Sequence, residues 1–425
     1  MIMRATPLAF SLATLIAWIL FLDILVDRAE LFVAAIPLAV GLTSLVPARR
    51  MPRFELRQRI SADRLSEGDR IVVSLTVSAL DPIPMIEILT VLPALVELEA
   101  GHNRVVLAAE AGQEVGSSFQ VACPARGRFD LGVIYIRLWD RSGLSVIEMR
   151  RATSRPISVY PAVARIRRVP QPARTQFSIG NYVSPRLGEG IEPGEIRRFL
   201  PGDRTRHINW RASLRRGQLY VTQFHEERNA DVVLLLDALS ETGAAPHSTL
   251  DLSVRAAAGI ANAYLARKDR VGFVEFGAFL RWIDPATGRR QSDVLAEGLL
   301  PAATHFSYVV PQLDRLPGRM LPRQALVIAL TPLLDERFVT AVIDLMARGF
   351  DVIVLAISPI ESTQRVLGRS PANDIACRLW EIEWREKADA LRRRGLAILE
   401  WHPDMALEAA LAPLARSRPR WAARR

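Results

Sequence analysis

Residues able to do chemistry crowd into one stretch, Glu195–Arg216, which reads EIRRFLPGDRTRHINWRASLRR. Pro201 and Gly202 stand directly before Asp203. Proline fixes φ and glycine tolerates φ > 0, so the pair predicts a tight turn. Asp203 can then cap a short helix by accepting from the backbone N–H of Thr205 or Arg206. Arg197 and Arg206 flank the acid, His207 follows at helical spacing, and Trp210 adds a large aromatic face. Asp203 with His207 would make an acid/base pair. Alternatively, the arginines and Trp210 form a structured surface for something acidic, with Arg206 paired to that partner or to Asp203. The structural account is a solvated basic turn whose tryptophan simply packs.

Other catalytic patterns are missing. No G-x-x-x-x-G-K-[ST] loop occurs, no H-E-x-x-H and no G-x-S-x-G elbow. Gly188, Gly190 and Gly194 do not make a dinucleotide fingerprint, because the third glycine is misplaced. The six histidines are scattered, and a lone histidine is more often structural than catalytic.

After this stretch the chain alternates strand and helix. Asp231–Leu236 is an apolar run of the kind buried on both sheet faces, and it ends at Asp237. Leu250–Ala266 has helical spacing. Val271–Phe276, Leu280–Ile283, Ala325–Leu330, Val352–Ile357 and Leu396–Trp401 read as further strands. Ser292–Leu300, Glu336–Ala347, Asp374–Arg394 and Met405–Leu414 read as helices, the third carrying Trp380 and Trp384. This alternation predicts a mostly parallel sheet covered on both faces, a Rossmann-type α/β domain. Ligands in such sheets sit beyond the carboxyl ends of the strands, where Asp237 falls.

Before the stretch, residues 54–163 carry short β-branched runs with frequent turn signals, such as Ile71–Val77 after Glu67-Gly68-Asp69. They predict an antiparallel β-sandwich-like module. Residues 164–194 are rich in arginine, glycine and proline and read as a linker. Ala5–Leu22 and Leu31–Ala48 are two apolar stretches with Asp23, Asp27, Arg28 and Glu30 between them. Each has about the length that crosses ~30 Å of hydrocarbon. Arg4 before them, and Arg49, Arg50 and Arg53 after them, put both ends on the cytoplasmic side. The expected order is therefore a two-helix transmembrane hairpin (1–53), β module (54–163), linker (164–194), basic segment (195–224), α/β domain (225–416) and basic tail (417–425). A cleaved signal peptide and a re-entrant hairpin at Pro37 are the alternatives.

Of 425 residues half are hydrophobic and 24% charged, with a net charge of +10. That balance excludes a disordered chain. It suits an anionic membrane face or an acidic partner. No basic run interleaved with aromatics points to nucleic acid. Cys123 and Cys377 alone exclude a disulfide framework.

The pattern E-x-R-x-F-x-P-G-D-x-x-R-x-I-x-W passes through Glu195, Arg197, Phe199, Pro201, Gly202, Asp203, Arg206, Ile208 and Trp210. It resembles the signature of the bacterial domain of unknown function 58, the MoxR-associated family. Asn209 stands where that family usually has an acid. Upstream, Arg126-Gly127-x-Phe129-x-Leu131-Gly132, Trp139-Asp140-x-x-Gly143-Leu144 and Val159-Tyr160-Pro161 resemble the same family. Its usual D-P-F-G-L reads Asp140-Arg141-Ser142-Gly143-Leu144 here.

The resemblance implies a von Willebrand A-like domain after the signature. Such domains open D-x-S-x-S at the position of Asp237 and hold a divalent cation. Here Leu239 and Glu241 replace the two serines, and the later S-D reads Thr331-Pro332. Glu241 and Asp335 could rebuild an oxygen shell for Mg²⁺. The preferred reading is that Asp237 caps a loop. The resemblance further implies a multi-pass protein of the bacterial inner membrane, with its main domains cytoplasmic. It would be a non-enzymatic adaptor working with a MoxR-type AAA+ ATPase, and with other von Willebrand A-containing proteins, in complex assembly or maturation. Its partner surface would use Arg197, Pro201, Gly202, Asp203, Arg206 and Trp210. An envelope-associated hydrolase and a cation-dependent adhesion module are the rival expectations.

Overall fold

The computed structural model describes residues 2–26, 30–43, 51–153, 155–164, 166–170, 176–200, 203, 205–229, 231–305, 307, 313, 319–322 and 325–416. The chain divides into two units, Met1–Tyr160 and Pro161–Arg425.

The first unit opens with strand β1 (Ile2–Ala5), helix α1 (Pro7–Val26) and helix α2 (Glu30–Thr43). Eleven strands follow: β2 (Phe54–Ile60), β3 (Arg64–Ser66), β4 (Arg70–Ala79), β5 (Ile83–Thr90), β6 (Glu97–Ala100), β7 (Arg104–Ala109), β8 (Glu114–Ala122), β9 (Gly127–Asp130), β10 (Val133–Trp139), β11 (Ser145–Ala152) and β12 (Pro156–Tyr160). They form sheets ordered β1-β11-β10-β5-β7, β2-β4-β8-β6 and β3-β12-β9. The first two sheets are antiparallel throughout. Strand β4 shows why they pack: Ile71, Val73, Leu75 and Val77 point inward, and the residues between them are more exposed. These four meet Ile86 and Ile88 of β5 and Ile134 and Ile136 of β10 in one core.

Helix α1 is 20 residues long, has an 18-residue window of mean hydropathy 2.3 and is long and apolar enough to cross a membrane; Ala9 is its buried residue. Helix α2 corrects the expected second span. It has 14 residues, with Pro37 inside it. At 1.5 Å per residue it reaches roughly 21 Å, short of ~30 Å of hydrocarbon. The remainder of the expected span, 44–48, lies outside the described residues.

In the second unit, Ile166 and Val169 pack on the α/β core. Strand β13 (Gln176–Arg198) pairs with β14 (Tyr220–Asn229), and α3 (Trp210–Arg216) lies between them in sequence. This corrects the linker read for 164–194. The glycines and prolines there fall in a strand with repeated register shifts against its partner, the kind of irregularity that tolerates both residues.

Then come β15 (Asp231–Asp237), α4 (Thr249–Ala266), β16 (Arg270–Phe276), β17 (Leu280–Ala286), α5 (Arg289–Leu299), β18 (Leu326–Thr331), α6 (Glu336–Ala347), β19 (Asp351–Ile357), α7 (Ile360–Leu367), α8 (Pro371–Arg393), β20 (Ala397–Trp401) and α9 (Leu407–Arg416). Their sheet runs β17-β16-β15-β18-β19-β20, and only β17 is antiparallel. Every residue of β15, β18 and β19 is buried. Val232, Leu234 and Leu236 join one core with α4, while Val233 and Leu235 join another with α6 and α8. Strand order reverses between β15 and β18, and ligands in such sheets sit beyond the carboxyl ends at that switch point. Asp237 and Thr331 are the last residues of those two strands.

Candidate functional site

Two places hold the residues singled out above. The first is the junction between β13 and α3. Arg197 donates to both oxygens of Asp203, at 2.7 and 2.6 Å. Asp203 Oδ2 also accepts from Leu200 N at 2.7 Å. The carboxylate therefore closes the turn backward, onto β13, where the spacing had predicted a forward cap on Thr205 or Arg206. The Arg197 guanidinium, then the Leu200 N–H, hold the Asp203 carboxyl below its ordinary value. Thr205–His207 is a single 3-10 turn. Pro201, Gly202 and the Arg206 side chain lie outside the described residues.

Asn209 is the residue whose role the sequence left open. Its Oδ1 accepts from Ala212 N at 3.0 Å, which caps α3, and its Nδ2 donates to Thr222 Oγ1 at 3.0 Å. An amide does both jobs, because it donates as well as accepts. Buried Ser213 completes the stitch. Its hydroxyl donates to Asn209 O at 2.8 Å and accepts from Tyr220 N at 2.9 Å. Sequence reasoning missed both roles; the N-W-R-A-S order, a capping residue at the helix start, was the available signal. Gly217 ends α3 at φ 67°, a left-handed geometry suited to glycine.

The helix so fixed carries an apolar outward face. Trp210 is 63% exposed and Leu214 is 83% exposed. They are one turn apart and share a side of α3. Leu200, Leu219 and Ile196 in the flanking segments are exposed as well. Exposed Arg211 and Arg215 add positive charge, and Arg216 lies 5.1 Å over the Tyr220 ring.

The second place is the carboxyl end of β15 and β18. Asp237 is 1% exposed. Its Oδ1 accepts from Leu239 N at 3.0 Å and its Oδ2 from Thr331 Oγ1 at 2.6 Å. Thr331 Oγ1 in turn accepts from Leu333 N at 2.9 Å. Leu333 sits at φ 58°, an uncommon conformation for a bulky side chain. Buried Trp384 secures the same loop by donating from Nε1 to Pro332 O at 2.8 Å. Burial pushes the Asp237 carboxyl up to about 7, against the lowering effect of the two hydrogen bonds.

Asp335 caps α6 through Arg337 N and is bridged by the Arg337 guanidinium at 2.7 Å, which holds its carboxyl low. Glu241 is exposed. The hydroxyls of Ser240 and Thr242 are buried without a partner. Even so, the group does not fit Mg²⁺. Asp237 spends both oxygens on neutral donors, and Arg337 supplies the positive charge that Asp335 needs. Among the described residues, no three His, Cys, Asp or Glu gather at metal-binding reach.

Comparison with known proteins adds the following. The chain is 25% identical over 218 residues to "Uncharacterized protein YeaD" of Bacillus subtilis, covering 49% of this chain and 54% of that protein. It is 30% identical over 119 residues to an uncharacterized protein of Mycobacterium tuberculosis, covering 27% of this chain and 38% of that one. The chain thus spans about half or less of these curated relatives. Among solved structures, alpha-2-macroglobulin of Escherichia coli aligns at TM-score 0.20 and 16% identity over 26% of this chain and 24% of that one. The CARDB domain of a Pyrococcus furiosus protein aligns at 0.17 and 12% over 26% and 90%. Scores this low carry no structural argument. Residues 195–374, from the start of the Arg197–Asp203 clasp to the first turn of α8, match the family described as "Protein of unknown function DUF58".

Proposed function

We propose that this chain is a membrane-held, non-enzymatic adaptor that works by contact through the face of α3. The observation that carries the reading is the exposure of Trp210 and Leu214 on a helix fixed at both ends. A large aromatic left in water on a rigid helix suits an interface anchor. The arginines around it suit a partner whose groove is apolar at the centre and acidic at the rim. The resemblance of the signature to a MoxR-associated family makes a MoxR-type AAA+ ATPase the partner to test. The single antiparallel edge strand and the doubly wound order support a von Willebrand A-like reading of the domain expected over 225–416, a fold used here for binding.

The membrane reading draws support from β1. Residues before α1 pair with β11, and residues 54–60 after α2 pair with β4, in the same unit. Both ends of the apolar segment therefore stay with one folded module. That favours a hairpin that enters and returns over a single crossing. It also opposes cleavage after α1, which would remove a strand of the sheet. By this reading the segment sits in the bacterial inner membrane with both folded units on the cytoplasmic side.

The test is co-purification of the full chain with a MoxR-type ATPase from detergent-solubilised membranes. The Trp210→Ala, Leu214→Ala double variant should lose capture at least tenfold with an unchanged melting temperature. Unchanged capture would overturn the reading, and so would turnover of an envelope substrate that the double variant retains.

A further inference from the structure

The first unit contains a cavity of about 710 Å³ beside the turn that holds the start of α1. Its wall includes the Asp140–Ser145 turn between β10 and β11. That same turn grips the start of α1: Thr6 Oγ1 donates to Gly143 O at 2.7 Å, and Thr6 N donates to Leu144 O at 3.0 Å. Met51, Pro52 and Arg53, on the chain that follows α2, form another wall. The cavity is thus bordered by the turn that holds the start of α1 and by Met51–Arg53. If α1 lies in a bilayer, this is the depth of the headgroups.

The charged lining consists of Arg53, Arg141, Asp81 and Asp140. Asp81 accepts from Arg53 through both oxygens, at 3.0 Å each, and from Arg53 N at 2.9 Å. Asp140 accepts from Ser145 N at 3.1 Å and from the Ser142 hydroxyl. Both carboxylates are therefore committed to their own neighbours. Arg53 is held in the Asp81 bridge, but both arginines keep donors to spare. Arg141 is exposed and has no ion pair among the described residues, and Arg53 keeps its outer N–H groups beyond the Asp81 bridge. Trp139 in the same wall is half-buried, and an indole suits the membrane–water interface. Volume and lining are in the range of small-ligand sites.

We propose that this cavity binds the phosphodiester headgroup of an anionic phospholipid, with Arg141 and the free N–H groups of Arg53 on the phosphate oxygens. Guanidinium groups suit phosphate because they donate in a planar fork. Arg53 neutralises Asp81, which weakens the pull of that carboxylate on the ammonium of a zwitterionic headgroup. The proposal rests on the membrane reading above.

The experiment uses the full chain in detergent, with phosphatidylglycerol, phosphatidylcholine and soluble glycerol 3-phosphate as separate probes. Retained lipid is counted by native mass spectrometry and stability is followed by thermal shift. Phosphatidylglycerol should be retained and raise the melting temperature, whereas the other two should not. Arg141→Gln should weaken phosphatidylglycerol binding about tenfold, the loss of one charge-assisted contact, and Arg141→Lys should restore part of it. Equal retention of both lipids, or wild-type affinity in Arg141→Gln, would sink the headgroup site. Equal effect of glycerol 3-phosphate would make it a site for soluble phosphate esters instead. Alkaline extraction of native membranes separates the two readings. A chain that washes off loses its membrane assignment, whereas one that stays but ignores phosphatidylglycerol loses only this site.

Discussion

Asp203 and Asp237 are the acids at the centre of the two candidate regions, and their surroundings are opposite. Asp203 lies at the surface inside a guanidinium fork, which holds its carboxyl low. Asp237 is enclosed at a strand end with one hydroxyl and one N–H for company, and burial raises it to about 7. The surface acid acts as a charge that shapes a turn. The buried acid acts as an acceptor that orders a loop, at the cost of losing its hydration. An aspartate at the carboxyl end of a central strand is therefore not a ligand site by position alone. Its neighbours decide, and here they are neutral donors.

The largest expected effect tests the buried side. An acid whose folded pKa lies above its ordinary 3.8 keeps a proton that the unfolded chain has released. Its presence therefore lowers stability as pH rises from ~4 to ~7, by about 1.4 kcal/mol per pH unit and about 4 kcal/mol in all. Asp237→Asn has no such proton to lose. Urea unfolding from pH 4 to pH 8 should show a steeply falling wild-type curve and a shallower one for the variant, which keeps the raised Asp231, with the variant ahead at pH 8. Parallel curves would mean that Asp237 stays charged and that the contrast with Asp203 is false.

Thr331→Val comes next. It removes the donor to Asp237 Oδ2 and the acceptor for Leu333 N in one change. Two buried polar groups lose a partner, so stability should fall by about 1–3 kcal/mol. The Thr331 bond also lowers the Asp237 pKa, so its loss should move the midpoint of the pH curve upward. A destabilised protein with an unmoved midpoint would separate Thr331 from the titration.

Trp210→Ala should do less to the fold. The ring is mostly in water and α3 is capped by Asn209 and Gly217, so unfolding free energy should change by no more than about 0.5 kcal/mol. A loss of several kcal/mol would show that the ring is a strut and would remove the anchor role.

These contrasts were unevenly legible in the sequence. The apolar run of β15 announced a strand buried on both faces, and its end placed Asp237 at the carboxyl end of the sheet. The helical spacing of α4, α6 and α8 was equally plain, because period and length are local properties. Strand β13 was not legible. Its glycines and prolines favour loops locally, and only pairing with β14, across the whole signature, holds it extended. The Arg197–Asp203 clasp hid for a related reason, since a turn decides which charges meet. Short α7, just beyond Pro359, left too little periodicity to read. Ser213, an ordinary helix residue in sequence, became a hub once Tyr220 returned beside it.

The smallest effect belongs to the surface acid. Because Arg197 and the Leu200 N–H hold the Asp203 carboxyl low, its contribution is present above the ordinary carboxylate pKa. It is lost as pH falls through the lower folded value, the reverse of Asp237. The pair is half-buried at the surface, where salt still screens it. Asp203→Asn should therefore lower the melting temperature slightly at pH 7 in low salt. It should be indistinguishable from wild type in 1 M salt, and again in strong acid, where both side chains are neutral. Partner capture should suffer more than stability, because Arg197 and the turn it fixes set how α3 is presented. If salt leaves the difference untouched, or if the variant loses as much stability as Thr331→Val, the clasp is an internal brace and the two aspartates do one job.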